Sequence, residues 1–256
     1  LLIMNLEIKE FLDSSYERYH NASFIQTDPL QIPHKFKRKE DIEIAAFLTA
    51  TIAWGQRKTI IRNADRLMKL LDDEPYSFIT GSSQKEWTRF QSFVHRTFQP
   101  ADLYYFLDSL RRIYLDEGGL ENVFNLGFQK GGIFESIQHF REVFLQWSPQ
   151  KRTLKHVSDP GKGSAAKRIN LFLMWMCRPD EYNIHFGLWN EIPASALIIP
   201  LDVHVGRVAR ALGLLDRKAN DWVSASSLTG NLSEFDPLDP VKYDFSLFGI
   251  GLEKKY

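Results

Sequence analysis

The chain has 256 residues, 44% of them hydrophobic, enough for one large domain or for two small lobes sharing a cleft. Its 32 basic residues balance 32 acidic ones, so any contact with nucleic acid must come from a local patch and not from overall charge. The single cysteine, Cys177, excludes an intrachain disulfide and a cysteine-held iron–sulfur cluster, which takes four thiolates.

Residues Leu1-Leu2-Ile3-Met4 show no signal-peptide pattern, and no apolar run approaches membrane-spanning length, so a cytoplasmic protein without a membrane partner is expected. Residues 5–20 predict an amphipathic helix, with Leu6, Ile8, Phe11, Leu12 and Tyr16 broadly on one side. A loop over 20–39 follows, holding two prolines and the basic cluster Lys35, Lys37, Arg38 and Lys39, read first as solvated surface and second as a phosphate contact. Residues 41–54 are apolar nearly all round, the mark of a buried helix. Trp54-Gly55-Gln56-Arg57-Lys58 breaks it, and another helix spans 59–71. Shorter helical segments are expected at 76–79, 84–90, 101–114, 120–128 and 133–147, with glycine pairs separating the later ones. No alternation of strand type stands out, so the expected class is all-α, on the order of ten helices or more.

Two stretches carry more information. Asp159-Pro160-Gly161-Lys162-Gly163-Ser164 reads as a tight hairpin, with a helix following through Ala165, Lys167, Arg168, Ile169, Phe172 and Trp175. Glycines there let a backbone approach another chain closely, and N–H groups at a helix start suit a phosphate. A segment at 178–200 then leads to Ile199-Pro200-Leu201-Asp202-Val203-His204-Val205-Gly206-Arg207-Val208-Ala209-Arg210-Ala211-Leu212-Gly213-Leu214. Val205, Val208, Ala209 and Leu212 recur at helical spacing, Asp202 stands where an N-cap stands, and Gly213 is placed to end the helix. Helices are expected at 221–235 and 243–252 beyond it. By itself Asp202 reads as an N-cap of a core helix, as most such aspartates are.

The string from Pro200 to Leu214 closely resembles the segment that carries the catalytic aspartate in helix-hairpin-helix DNA glycosylases, the superfamily of endonuclease III, adenine glycosylase and 8-oxoguanine glycosylase. Leu201 replaces the usual valine; the Asp, His and Arg are Asp202, His204 and Arg207. Pro160, Gly161 and Gly163 match the hairpin with which these enzymes grip the DNA backbone, while Asp159 and Lys162 depart from it, so the hairpin is degenerate. The chain is most similar to an uncharacterised bacterial family placed in that superfamily. The resemblance implies two helical lobes with a cleft, within one glycosylase-like unit over 1–256. It implies double-stranded DNA as partner, and base-excision repair as function.

The same resemblance distributes roles. Asp202 is the catalytic carboxylate. Gly161, Lys162, Gly163, Arg168 and Arg207 are candidate DNA contacts, with Arg210 also able to supply a cation or hold a phosphate. Trp54, Trp189 and Phe248 are candidate base-pocket residues, and Trp54, Gln56, Arg57 and Lys58 would form the loop that fills the gap left by an extruded base. The lysine nucleophile of bifunctional members would fall on Ala165 here. Lys167-Arg168-Ile169-Asn170-Leu171-Phe172 is instead similar to the archaeal 8-oxoguanine enzymes, which makes Lys167 the candidate nucleophile. Lys162 is the alternative, and a monofunctional enzyme with no nucleophile the third reading. No cofactor and no catalytic metal is expected, although the hairpin carbonyls can hold a monovalent cation when DNA binds. A monomer is expected, without a sequence feature that fixes it.

Two rivals remain. Arg207 to Leu214 also looks like half of a helix-turn-helix, but Ala196-Leu197-Ile198-Ile199-Pro200 before it is no short helix with a tight turn. The second is a DNA- or RNA-binding protein on the same scaffold without chemistry, which fold alone does not separate from an enzyme. The base itself is not legible, nor is the presence of lyase activity.

Overall fold

A computed structural model describes residues 2–253. The described chain is all-α: no β-strand forms among these residues, and the pairings of strand type are isolated bridges, His95 with Phe98 and Ser164 with Asp221. The α-helices are α1 (Leu2–Tyr19), α2 (Phe24–Thr27), α3 (Lys39–Thr51), α4 (Arg57–Leu70), α5 (Pro75–Gly81), α6 (Pro100–Asp116), α7 (Leu120–Gly131), α8 (Ile133–Leu145), α9 (Lys167–Cys177), α10 (Val203–Ala211), α11 (Trp222–Ser233) and α12 (Tyr243–Glu253). No helix among the described residues is long and apolar enough to cross a membrane.

The structure shifts several sequence expectations. The loop at 20–39 contains α2 and two short 3-10 turns, each opened by a proline, Pro29 and Pro33, whose fixed φ suits a first helical position. The segment expected as a helix at 84–90 is a 3-10 stretch, Glu86–Ser92. The helix after the hairpin begins at Lys167, not at Ala165.

The chain divides into two compact units: Leu1–Phe24 with Asp159–Tyr256, and Ile25–Ser158. In the second of these, α3 is the core. Every residue from Asp41 to Thr51 is buried, as a stretch apolar nearly all round requires. Phe47 on α3 meets Phe106 of α6 and Phe140 and Phe144 of α8 at ring separations of 6.0, 5.5 and 5.5 Å. The two buried acids of this helix are satisfied from outside it. Asp41 accepts from the Tyr76 N–H at 2.8 Å, and Glu43 from the Tyr114 hydroxyl at 2.7 Å.

In the other unit α12 packs against both α1 and α10. Two glycines make that approach possible. A Cβ on Gly249 would stand 2.4 Å from the Tyr19 ring of α1, and one on Gly251 would stand 3.1 Å from the Cβ of His204 on α10. The segment at 178–190 folds back onto α9 through Phe186 N to Trp175 O (2.8 Å) and Trp189 N to Met176 O (3.0 Å). Buried Arg178 fastens it. The guanidinium donates to both Asp239 oxygens (3.1 and 2.8 Å), to the Tyr16 hydroxyl (2.9 Å) and to His185 Nδ1 (3.2 Å). Burial alone would raise the pKa of neighbouring Asp180; His20 and the N–H groups of His185 and Ile184 outweigh it and hold that carboxyl well below the usual range.

Candidate functional site

Asp202 opens α10 in the manner its sequence position predicts. Its backbone is extended (φ −116°, ψ −171°), and its Oδ1 accepts from the N–H groups of His204 at 2.8 Å and Val205 at 2.9 Å. These bonds satisfy two of the four donors a helix start leaves open, and the carboxylate charge faces the positive end of the dipole. Oδ2 accepts no hydrogen bond from the described residues, and the side chain is half-buried. The carboxylate is therefore fixed through one oxygen and presents the other. The far end of α10 is equally well defined. Gly213, at φ +71°, donates to Arg210 O (3.1 Å) and Leu214 N donates to Ala209 O (2.8 Å), the paired bonds of a Schellman motif.

The rest of the string falls into place by packing. His204 lies against Gly251 of α12, with the half-buried Phe248 ring edge-on at 6.1 Å. Arg207 is half-buried and donates to His204 Nδ1 at 3.1 Å. Arg210 does not point to a ligand: its guanidinium holds the loop after α10. Nε donates to Arg217 O (2.7 Å), and Nη2 to Lys218 O (3.0 Å), Ala219 O (3.1 Å) and Asn220 Oδ1 (2.7 Å).

The hairpin forms as a 3-10 turn, Pro160–Lys162, closed by Gly163 in the left-handed conformation (φ +84°). Gly163 N donates to Pro160 O at 2.9 Å and Ser164 N to Asp159 O at 3.1 Å. A Cβ on Gly163 would meet nothing within 4 Å, so glycine is needed there for its φ, and the space beside it is open. Gly161, Lys162 and Gly163 are exposed, and Lys162 stands 3.9 Å from Asp159. Lys167 is the first residue of α9 and half-buried; Arg168 follows, and burial pushes its pKa down to about 10, which leaves it protonated at neutral pH. Trp222 N donates to Gly163 O at 3.1 Å, and Ser164 pairs with Asp221, so the hairpin and the start of α11 are joined.

The pocket candidates have different surroundings. Phe248 stands near the start of α10, as described. Trp189 is core: it is 1% exposed, edge-on to Phe172 at 5.3 Å, and its ring has no face open to solvent. His185 is likewise buried and stacks on Phe245 at 5.2 Å. Trp54 belongs to the unit Ile25–Ser158, half-buried in the turn between α3 and α4. It sits edge-on to His95 (4.9 Å) and stacked with His156 (5.9 Å). Asn63 Nδ2 donates to His95 Nδ1 (2.9 Å), so Nε2 carries the proton that goes to Trp54 O (3.1 Å). Burial pushes the His95 pKa down, in keeping with that neutral ring. Gln56 and Lys58 are exposed beside it.

Three members of the basic cluster are paired where they stand. Lys35 pairs with Asp65, Lys39 with Glu121, and Arg38 with Glu40 at 2.9 Å, its guanidinium over the Tyr76 ring. A cavity of about 340 Å³ near it is lined by Lys39, Glu40, Glu43, Tyr76, Tyr114 and Glu121 among others, and by none of the catalytic or base-pocket candidates. Among the described residues no group of three or more His, Cys, Asp and Glu is placed to hold a metal ion. Sequence reasoning missed Asn220 and the role of Arg210. Asn220-Asp221 before an apolar run signals a helix start, but nothing local says that Asn220 reaches back to Asp202.

A family model described as a protein of unknown function (DUF2400) matches residues 28–253. The chain belongs to the DUF2400 family. The match takes in Asp202, Lys167 and the hairpin of this DUF2400 chain, and begins after α1. No curated protein and no solved structure matches it.

Proposed function

We propose that this protein is a DNA N-glycosylase of base-excision repair, acting on a damaged base in double-stranded DNA as a cytoplasmic monomer. The observation that carries the reading is the geometry of Asp202. A half-buried carboxylate is locked by two backbone N–H groups at a helix start, with one oxygen left for a ligand. Cleavage of an N-glycosidic bond sends its electron pair out with the base and leaves positive charge on the sugar at C1′. A fixed carboxylate beside that carbon lowers the barrier because it needs no reorganisation as the charge develops. Water can then add to C1′ and lose a proton. In the bifunctional version the Lys167 amine adds instead; ring opening gives a Schiff base, a C2′ proton is lost, and the 3′ phosphate leaves by β-elimination. The exposed hairpin, with its left-handed Gly163, supports a phosphate grip by Gly161, Lys162 and Gly163, with Arg168 and Arg207 as further contacts. A monovalent cation on the hairpin carbonyls belongs to the same reading.

A second reading is a DNA- or RNA-binding protein on the same scaffold without chemistry, which fold alone does not separate from an enzyme. The helix-turn-helix regulator has less support: a three-residue 3-10 turn, Ala194–Ala196, and an irregular stretch precede α10 where that motif needs a helix. A panel of duplexes, each carrying one lesion, separates glycosylase from binder by base release. Borohydride reduction during turnover should trap a covalent protein–DNA adduct that Lys167→Gln abolishes. Base release without any adduct means a monofunctional enzyme in which Lys167 is a DNA contact. An adduct that survives Lys167→Gln moves the role to Lys162.

A further inference from the structure

A residue outside α10 holds the backbone of Asp202. Asn220 Nδ2 donates to the Asp202 carbonyl at 3.1 Å, and that carbonyl also accepts the first helical bond, from Gly206 N at 2.9 Å. Two donors on one carbonyl fix the plane of the peptide from which the Asp202 side chain departs. The Asn220 side chain is itself held, its Oδ1 accepting from Arg210 Nη2 at 2.7 Å. Gly206 leaves the room. A Cβ there would stand 2.7 Å from Asn220 Oδ1 and 2.8 Å from Arg210 Nη1, a contact no side chain tolerates unmoved. The next two residues continue the connection: Asp221 caps α11 by accepting from Ser224 N at 2.8 Å, and Trp222 N donates to Gly163 O in the hairpin.

We propose that Asn220 is a positioning residue for Asp202, the middle of a strap from the hairpin at Gly163 through Trp222 and Asn220 to the Asp202 carbonyl. The inference rests on the glycosylase reading above and deepens it. The strap sets the carboxylate at a fixed place relative to the element that holds the DNA backbone. Cutting it leaves the helix capped, because Oδ1 keeps its two N–H donors, but lets the N-cap peptide rock and the free oxygen wander.

The test uses two duplexes of one sequence. In one the abasic position carries a pyrrolidine ring, protonated near neutral pH and so a mimic of the charged sugar; in the other it carries a neutral tetrahydrofuran ring. The wild type should bind the first more tightly, and the ratio of the two affinities reads the placed carboxylate. Asn220→Ala and Asn220→Asp should each cut that ratio by about fivefold or more, as misplacement of an electrostatic group does, with affinity for the neutral duplex within about twofold. Asn220→Asp keeps the acceptor for Arg210 and loses the donor to Asp202. Its added negative charge would by itself raise the ratio, so a fall isolates the lost bond.

If Asn220→Asp restores the wild-type ratio, or if both duplexes weaken in parallel with the ratio intact, Asn220 only closes its loop and the proposal is overturned. If the wild type shows no preference between the duplexes, the glycosylase reading fails instead. The strap is then judged by amide exchange at Gly206, whose N–H shares the Asp202 carbonyl with Asn220: an increase of about tenfold in both variants sustains it, and unchanged exchange sinks it. Should Asn220→Ala fail to fold, Asn220→Asp carries the comparison alone.

Discussion

The helices that carry the two candidate catalytic residues start in opposite ways. α10 starts on Asp202, an extended N-cap whose carboxylate satisfies two helix donors. α9 starts on Ala166, a residue with no side chain to cap anything, held in the left-handed conformation at φ +48° and ψ +32°. That conformation costs a non-glycine residue roughly 1–2 kcal/mol. Neighbours hold it: Ala166 N donates to Ser164 Oγ at 3.2 Å, and Asn170 Nδ2 reaches back to Ala165 O at 3.0 Å. α10 is thus begun by its own residues, whereas α9 begins where the hairpin and Asn170 force the chain to turn. The cap itself is therefore local, whereas Lys167, next to the left-handed Ala166, takes its direction from the hairpin.

The sharpest test of the contrast is Asp202→Asn. Asparagine caps as well as aspartate, so the fold survives and only the charge goes. Base release should slow by a hundredfold or more, about 3–4 kcal/mol of transition-state stabilisation, measured in single turnover. Release at the wild-type rate would falsify the assignment of Asp202.

The cap of α10 is local, whereas the packing of its neighbour α12 on α1 is not. Gly249→Ala drives a methyl into the Tyr19 ring. The substitution should cost about 1–3 kcal/mol in a denaturant titration, the usual range for overpacking. A variant as stable as the wild type would show that α1 and α12 slide apart freely.

The two helix starts can also be compared directly. Asp202→Ala removes the cap and should lower stability by about 1 kcal/mol. Ala166→Gly relieves the strain but loses a buried methyl and adds chain entropy, so it should stay within about 1 kcal/mol of the wild type. A large loss from Ala166→Gly would mean that the methyl, not the turn, is what the hairpin holds.

The smallest effect is one of pH, at the end of the strap. The Ser224 N–H and the Arg217 guanidinium, at 2.7 Å, bring the Asp221 pKa down to about 2. A depressed carboxyl contributes stability fully present above its unfolded value of about 3.9, and that contribution is lost as pH falls through the folded one. The Ser224 amide shift should therefore titrate with a midpoint near 2, and Asp221→Asn should abolish the step. A midpoint near 4 would mean that Asp221 does not cap α11 in solution.

The sequence by itself determined the helical class, the burial of α3, and both ends of α10. Each is written within a few residues: a stretch apolar nearly all round, an aspartate before apolar positions at helical spacing, a glycine just past the last turn. It also marked the hairpin through Pro160 and Gly163, since a left-handed turn needs a glycine. Only the tertiary structure decided where the remaining polar side chains go. Trp189, legible as an aromatic able to face a base, is buried because the segment at 178–190 folds back onto α9 and is pinned by Arg178. Arg210, legible as one of a patch of cations, is spent on the carbonyls of 217–219. Asn220 meets Asp202 across 18 positions. No periodicity encodes such a meeting, because it follows from how Gly213 ends α10 and where Asp221 restarts the chain, and the partner of a long-range hydrogen bond is fixed by packing.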